Sequence, residues 1–269
     1  MKKTLIQLVI LFSLAVPAQA RDYVLSILPR YYPERLTEMM TPLAEYLSAQ
    51  LGEKVRLELC KDFTDYENKI KNGAIDIGYE NPLSFSHLTT AHEAIAMAVD
   101  KGDGEKFRGI VISRPDSGIK QLTDLTGKTV MIVSDTSAGG YLSQNLSLIK
   151  NSIDRKGINF VTAAENRQEN VIISVSVGDV DAGFIRESAL NIANQYIAPG
   201  SIAKVVETEW LPNWPLSIKR DMPPETRQKL LTALLALKED SPVIKAMGIN
   251  RFRQASDTDY AVMKTLNEH

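Results

Sequence analysis

The sequence holds one cysteine, three histidines and two tryptophans in 269 residues. A single thiol, Cys60, cannot close a disulfide within the chain, so the core alone must hold the fold. Its simplest role is that of a small buried apolar residue. It also follows the strand-like Val55-Arg56-Leu57-Glu58-Leu59, and strand ends carry ligands in α/β folds, so a place in a site stays open. His87, His92 and His269 are too few and wrongly spaced for an H-E-x-x-H helix or a structural zinc site. No metal is expected, and His87 and His92 read as surface residues of a helix. Also missing are G-x-S-x-G, a phosphate loop ending in Gly-Lys-Ser/Thr and a dinucleotide-binding glycine fingerprint. No catalytic residue and no cofactor is therefore expected. Neither sign of charge dominates, with 31 Lys and Arg against 33 Asp and Glu, so nothing steers the chain to nucleic acid. Beyond residue 20 no apolar run nears the ~20 residues that cross a bilayer.

What is present begins at the first residue. Met1-Lys2-Lys3 is a basic start, residues 5–16 are an apolar run too short to span a membrane, and Ala18-Gln19-Ala20 is a small-residue cleavage site. Residues 1–20 are expected to be a signal peptide cut after Ala20, which sends the chain to the periplasm. No cysteine follows the cut directly, so a lipid anchor is not indicated.

The rest alternates short apolar strands with amphipathic helices, the pattern of parallel sheets covered on both faces. Residues 23–28, 55–59 and 75–79 read as strands. Leu36, Met39, Met40, Leu43, Leu47 and Leu51 have helical spacing, with Pro42 as a kink or as the true start. Asp62 caps a helix that stops at Gly73, and Asn81-Pro82 opens another. Strands at 129–133 and 158–161 alternate with helices at 140–150 and 169–177, and Pro223-Pro224 opens a helix carrying Leu230, Leu231, Leu234 and Leu235. Apolar stretches at 107–113 and 202–218 read as crossovers between two lobes. The expected division is lobe 1 from 21–108 with 205–269, and lobe 2 from 109–204, joined by a hinge of two crossover strands.

An internal echo supports two lobes. Gly73-Ala74-Ile75-Asp76-Ile77-Gly78-Tyr79 recurs as Gly178-Asp179-Val180-Asp181-Ala182-Gly183-Phe184, each after a helical stretch. The second glycine of each reads as a point of close approach by backbone or ligand, and the aromatic as a flat wall of a shared cleft. The segment 134–141, Ser-Asp-Thr-Ser-Ala-Gly-Gly-Tyr, follows a strand and opens a helix, where hydroxyls and free N–H groups serve equally as an anion pocket or an ordinary cap.

Taken in order, Pro42-Leu43-Ala44-Glu45-Tyr46-Leu47, Ile75-Asp76-Ile77-Gly78, Asn81-Pro82, Asp116-Ser117-Gly118-Ile119, Leu122-Thr123-Asp124-Leu125-Thr126-Gly127-Lys128, Gly140-Tyr141-Leu142 and residues 177–183 resemble one family. It is that of the periplasmic phosphate, phosphite and phosphonate-type binding proteins of ABC transporters. The resemblance implies an α/β, two-lobed type II periplasmic-binding-protein fold, with a small polar or oxyanion ligand held between the lobes and delivered to a membrane permease. It also implies departures. A ligand-facing tyrosine falls on Phe63 and a second on Glu80, a Ser-Thr-Ser run falls on Ser137, Ala138 and Gly139, and a histidine falls on Gln168. The expected ligand-binding residues are Phe63, Tyr79, Glu80 and Asn81 from the first lobe. Thr136, Ser137, Gly139, Gly140, Gln168, Arg186 and Glu187 come from the second. Arg186 can clamp an oxyanion by two N–H groups, while Arg186 and Glu187 read equally as surface residues. Two alternatives stand beside transport: a ligand-sensing partner of a two-component sensor kinase, and a secreted enzyme on this scaffold with Glu80 and Glu187 as acid and base.

Overall fold

The computed structural model describes residues 22–267 apart from 30, 32 and 103. The expected signal peptide lies outside the described residues. In chain order the first elements are β1 (Tyr23–Ile27), α1 (Pro33–Leu51), β2 (Val55–Leu57), α2 (Phe63–Lys71), β3 (Ile77–Tyr79), α3 (Pro82–Ser86) and β4 (His92–Val99). Next come β5 (Lys106–Ser113), β6 (Thr129–Ile132), α4 (Ser143–Lys150), β7 (Asn159–Thr162), α5 (Gln168–Val177), β8 (Ala182–Arg186) and β9 (Ala203–Pro212). The chain closes with β10 (Pro215–Lys219), α6 (Pro224–Ala236), α7 (Pro242–Met247), β11 (Arg251–Gln254) and α8 (Lys264–Asn267). They form two sheets, one ordered β11-β4-β10-β3-β1-β2 and the other β7-β6-β8-β5-β9.

The apolar spacing of α1 does what it promises. Leu36, Met39, Met40, Leu43, Leu47 and Leu51 are all buried, each worth about 1.5–3 kcal/mol of removed apolar surface. Pro42 neither kinks nor starts the helix, which runs unbroken across it. The hydrogen bond it forgoes would end on the carbonyl of Glu38, an exposed residue that water can serve. Asp62 caps α2 through the Asp65 N–H at 2.7 Å, and Asn81 caps α3 through the Ser84 N–H at 2.8 Å. Of the four leucines read onto α6, Leu230 and Leu234 are buried, while Leu235 is exposed.

The echo is structural. Asp76 takes the N–H of Val24 in β1 at 2.9 Å, and Asp181 takes the N–H of Thr129 in β6 at 2.8 Å, so each module ties its strand to a parallel neighbour. A Cβ on Gly78 would lie 2.6 Å from the Tyr66 hydroxyl of α2, and one on Gly183 would lie 2.5 Å from Val171 of α5. The close approach is therefore by the preceding helix. Phe184 corrects the second half of that reading: it is fully buried against Phe160 and walls no cleft.

Sheet membership places the crossovers. All of β5 pairs within the second sheet, so the first passage precedes 107–113, between Val99 and Lys106, while the return, at 213–214 between β9 and β10, falls inside the expected stretch 202–218. Alternate residues of β5 feed opposite faces, Ile110 and Ile112 one apolar cluster and Val111 another, as a sheet covered on both sides requires. His92 is not on a helix surface. It is fully buried at the start of β4, its Nε2 donating to the Ile75 carbonyl at 3.1 Å.

Candidate functional site

Two cavities lie where the two sheets' layers meet. The larger, about 320 Å³, has Phe63, Thr64, Glu67, Asn68 and Lys71 of α2 on one wall, with Asn81, Leu83, Ser84 and His87. Thr136, from the loop after β6, closes it from the other sheet. The smaller, about 210 Å³, lies beside the chain passages and is lined by Tyr79, Trp214 and Asn213, by Arg35 of α1, and by Asp100 and Arg186.

The sequence-derived residues divide accordingly. Phe63, Asn81 and Thr136 face the larger cavity, and Tyr79 and Arg186 the smaller. Ser137 accepts the Gly140 N–H at 3.1 Å and caps a single π-turn over Ala138–Leu142 that leads into α4. Gly139 has no room for a side chain, since a Cβ there would stand 2.8 Å from Arg186 Cβ, and a Cβ on Gly140 would stand 2.3 Å from Val133. Gln168 acts on another site residue: its Oε1 accepts the Arg186 N–H at 2.8 Å. The guanidinium of Arg186 lies 4.5 Å over the Phe107 ring and donates to Asp100 at 2.6 Å. Behind the loop, Gln144 is fully buried and its Nε2 reaches the carbonyls of Ile110, Gly139 and Ile185 at 3.1, 2.9 and 3.1 Å. One amide thus fixes β5, the glycine turn and β8 together.

Two expected residues lie apart from both cavities. Glu187 accepts from Arg108 at 2.6 and 3.0 Å and from Lys204 at 2.9 Å, which holds its carboxyl down at about 2, Arg108 contributing most. It lines neither cavity. Glu80 is fully buried and also lines neither; it accepts the Tyr66 hydroxyl at 2.6 Å, and its Oε1 has no partner. Burial pushes its carboxyl up to about 7, against the pull of Tyr66 and Ser217. Beside it, His92 Nε2 lies 3.1 Å from the Ile75 carbonyl and Nδ1 lies 2.9 Å from Ser217 Oγ. Burial lowers His92 to about 4, so the ring stays neutral. Glu80 and Glu187 line neither of the two cavities described above.

Sequence reading missed Thr64, Glu67, Asn68 and Lys71. Their helical spacing places them on one polar stripe of α2, and that stripe was the available signal. Glu67 Oε1 lies 3.4 Å from His87 Nδ1, and its Oε2 lies 3.3 Å from Lys71 Nζ. Asp100 and Trp214 carried no local signal, because they matter only through the chain passages. Cys60 lines neither cavity; it is buried with Sγ 3.6 Å from Ser26 Oγ.

Two mixed α/β sheets linked by two short passages, with cavities at the junction, make a type II periplasmic binding fold. Over residues 25–260 the sequence matches the family described as ABC transporter, phosphonate, periplasmic substrate-binding protein, and the chain belongs to it. XAC2383 from Xanthomonas citri, solved bound to chloride, shares the fold with a TM-score of 0.78 at 19% identity, covering 92% of this chain and 99% of that one. The same protein bound to ATP gives 0.77 at 18% identity, over 92% and 98% of the two chains. PhnD1 from Prochlorococcus marinus, in complex with methylphosphonate, gives 0.70 at 15% identity, over 92% and 99%. At these identities the likeness is one of fold.

Proposed function

We propose that this substrate-binding protein captures a small polar solute bearing an oxyanion between two lobes and delivers it to an ABC permease. The observation that carries the reading is the cavity of about 320 Å³ with Phe63, Asn81 and Lys71 on one wall and Thr136 on the other, because only apposition of both lobes completes it. On the neighbouring cavity Arg35 and Arg186 are the cations, and because Arg186 is paired with Asp100 there, an oxyanion would have to share or displace that carboxylate. Lobe closure buries the ligand and forms the surface that a membrane partner reads.

A thermal-shift screen of phosphate, sulfate, methylphosphonate, 2-aminoethylphosphonate and ATP tests this, because binding to the folded state alone raises Tm. At least one oxyanion should raise Tm and shrink the particle in X-ray scattering. No shift with any of them, at millimolar concentration, sinks the oxyanion reading.

A further inference from the structure

The segment after β11 fastens to the first sheet and then leaves it. Asp257 accepts the Ala94 N–H of β4 at 2.9 Å and pairs with Arg220, while Asp259 takes Arg253 at 2.8 Å. Tyr260 is buried edge-on against Phe85, just beyond α3's capped start, with ring centroids 4.9 Å apart. Its hydroxyl donates to the Asn213 carbonyl at 3.0 Å, inside one of the two passages between sheets. Three residues later Met263 is fully buried among Phe107, Leu142, Leu146 and Leu211 of the second sheet's layer, with Leu83 of α3 packed on the same cluster. From there α8 continues against α4.

We infer that this C-terminal segment is a strap that positions the two walls of the solute cleft, with Met263 as the residue that sets their separation. The inference rests on the reading of the larger cavity as the solute site. Leu83 lines that cavity, and Leu142 ends the turn that follows Thr136, so Met263 packs behind both walls at once. Two passages as short as 100–105 and 213–214 leave a pair of lobes free to swing. A third crossing through Met263 restrains that swing by burial. An unbranched, polarizable side chain suits the place, since it can keep its contacts while the surrounding helices shift. Tyr260 tethers the strap to the passage itself, so movement of Asn213 is felt at the cluster. Both are positioning residues, with no contact to solute required of either.

The test measures lobe separation in the full chain without ligand, so it does not depend on which solute is bound. Spin labels at Asn72→Cys, beyond the end of α2, and Asp135→Cys, beside Thr136, in a Cys60→Ala background, give an interlobe distance distribution. Met263→Ala should lengthen and broaden it, by on the order of 2 Å or more, while Met263→Leu retains the parent distribution. Tyr260→Phe keeps the buried ring, loses only the bond to Asn213, and should broaden the distribution without lengthening it much. A merely structural role would lower Tm in these variants and leave the distances of the folded protein unchanged. Should Met263→Ala fail to fold, Met263→Val and Tyr260→Phe carry the test. Parent-like distributions in every folded variant overturn the strap.

Discussion

Glu80 and Asn81 are neighbours in sequence with opposite surroundings. Asn81 caps α3 and lines the larger cavity, whereas Glu80 is sealed with Tyr66, Ser217 and His92. A carboxyl whose folded-state value is raised holds its proton longer when folded than when unfolded. Its stability contribution is complete below its ordinary value of 4.5 and is lost as pH rises to about 7 and beyond. A difference of this size is worth roughly 3 kcal/mol, at about 1.4 kcal/mol per unit. Glu80→Gln keeps a neutral acceptor for Tyr66 and supplies a permanent donor, so urea unfolding at pH 5 and pH 8 should show a loss in the parent that the variant lacks. Equal losses in both would mean that Glu80 is not the group responsible. The same burial removes Glu80 as a repelling charge on any solute.

At the scale of the element, the turn Ala138–Leu142 and Arg186 determine each other. A serine at 139 would drive its Cβ to 2.8 Å from Arg186, so the absence of a hydroxyl there goes with the arginine. Phe63, by contrast, lines the larger cavity. Where the resemblance implies hydroxyls at Phe63 and Ala138, this chain has none, and a hydrogen bond to a charged group is worth about 1.5–3 kcal/mol. Methylphosphonate should therefore bind weakly, and the double change Phe63→Tyr, Ala138→Ser should tighten it by roughly 100-fold or more. Calorimetric titration reads both. Sub-micromolar binding by the parent, or no gain in the variant, would show the positional carry-over to be misaligned. Helix caps and helical spacing were legible at this scale because they depend on neighbours within a turn. Strand β4 was not: His92-Glu93-Ala94-Ile95-Ala96-Met97-Ala98-Val99 is alanine-rich and reads as helix as easily as strand. It is a strand because β10, more than a hundred residues on, and β11 pair with it on either side.

For the whole molecule, residues 1–20 are expected to be a signal peptide, and the intact mass of protein recovered from the periplasm should then begin at Arg21. A product retaining Met1 would contradict export by cleavage. The sequence by itself determined this expectation, the α/β alternation, the paired Gly-Asp-Gly modules and the family, because each is written in short spacings of apolar, small and capping residues. Only the tertiary structure decided where the chain changes sheets, that Glu80 and His92 are buried, that Arg186 faces Asp100, and that Met263 is buried with Phe107, Leu142, Leu146 and Leu211. The reason is physical. Local spacing sets which face of an element is apolar, whereas the surroundings of a polar side chain at a strand's end depend on segments far away in the chain, here Ser217 and Tyr66 for Glu80 and Asp100 for Arg186.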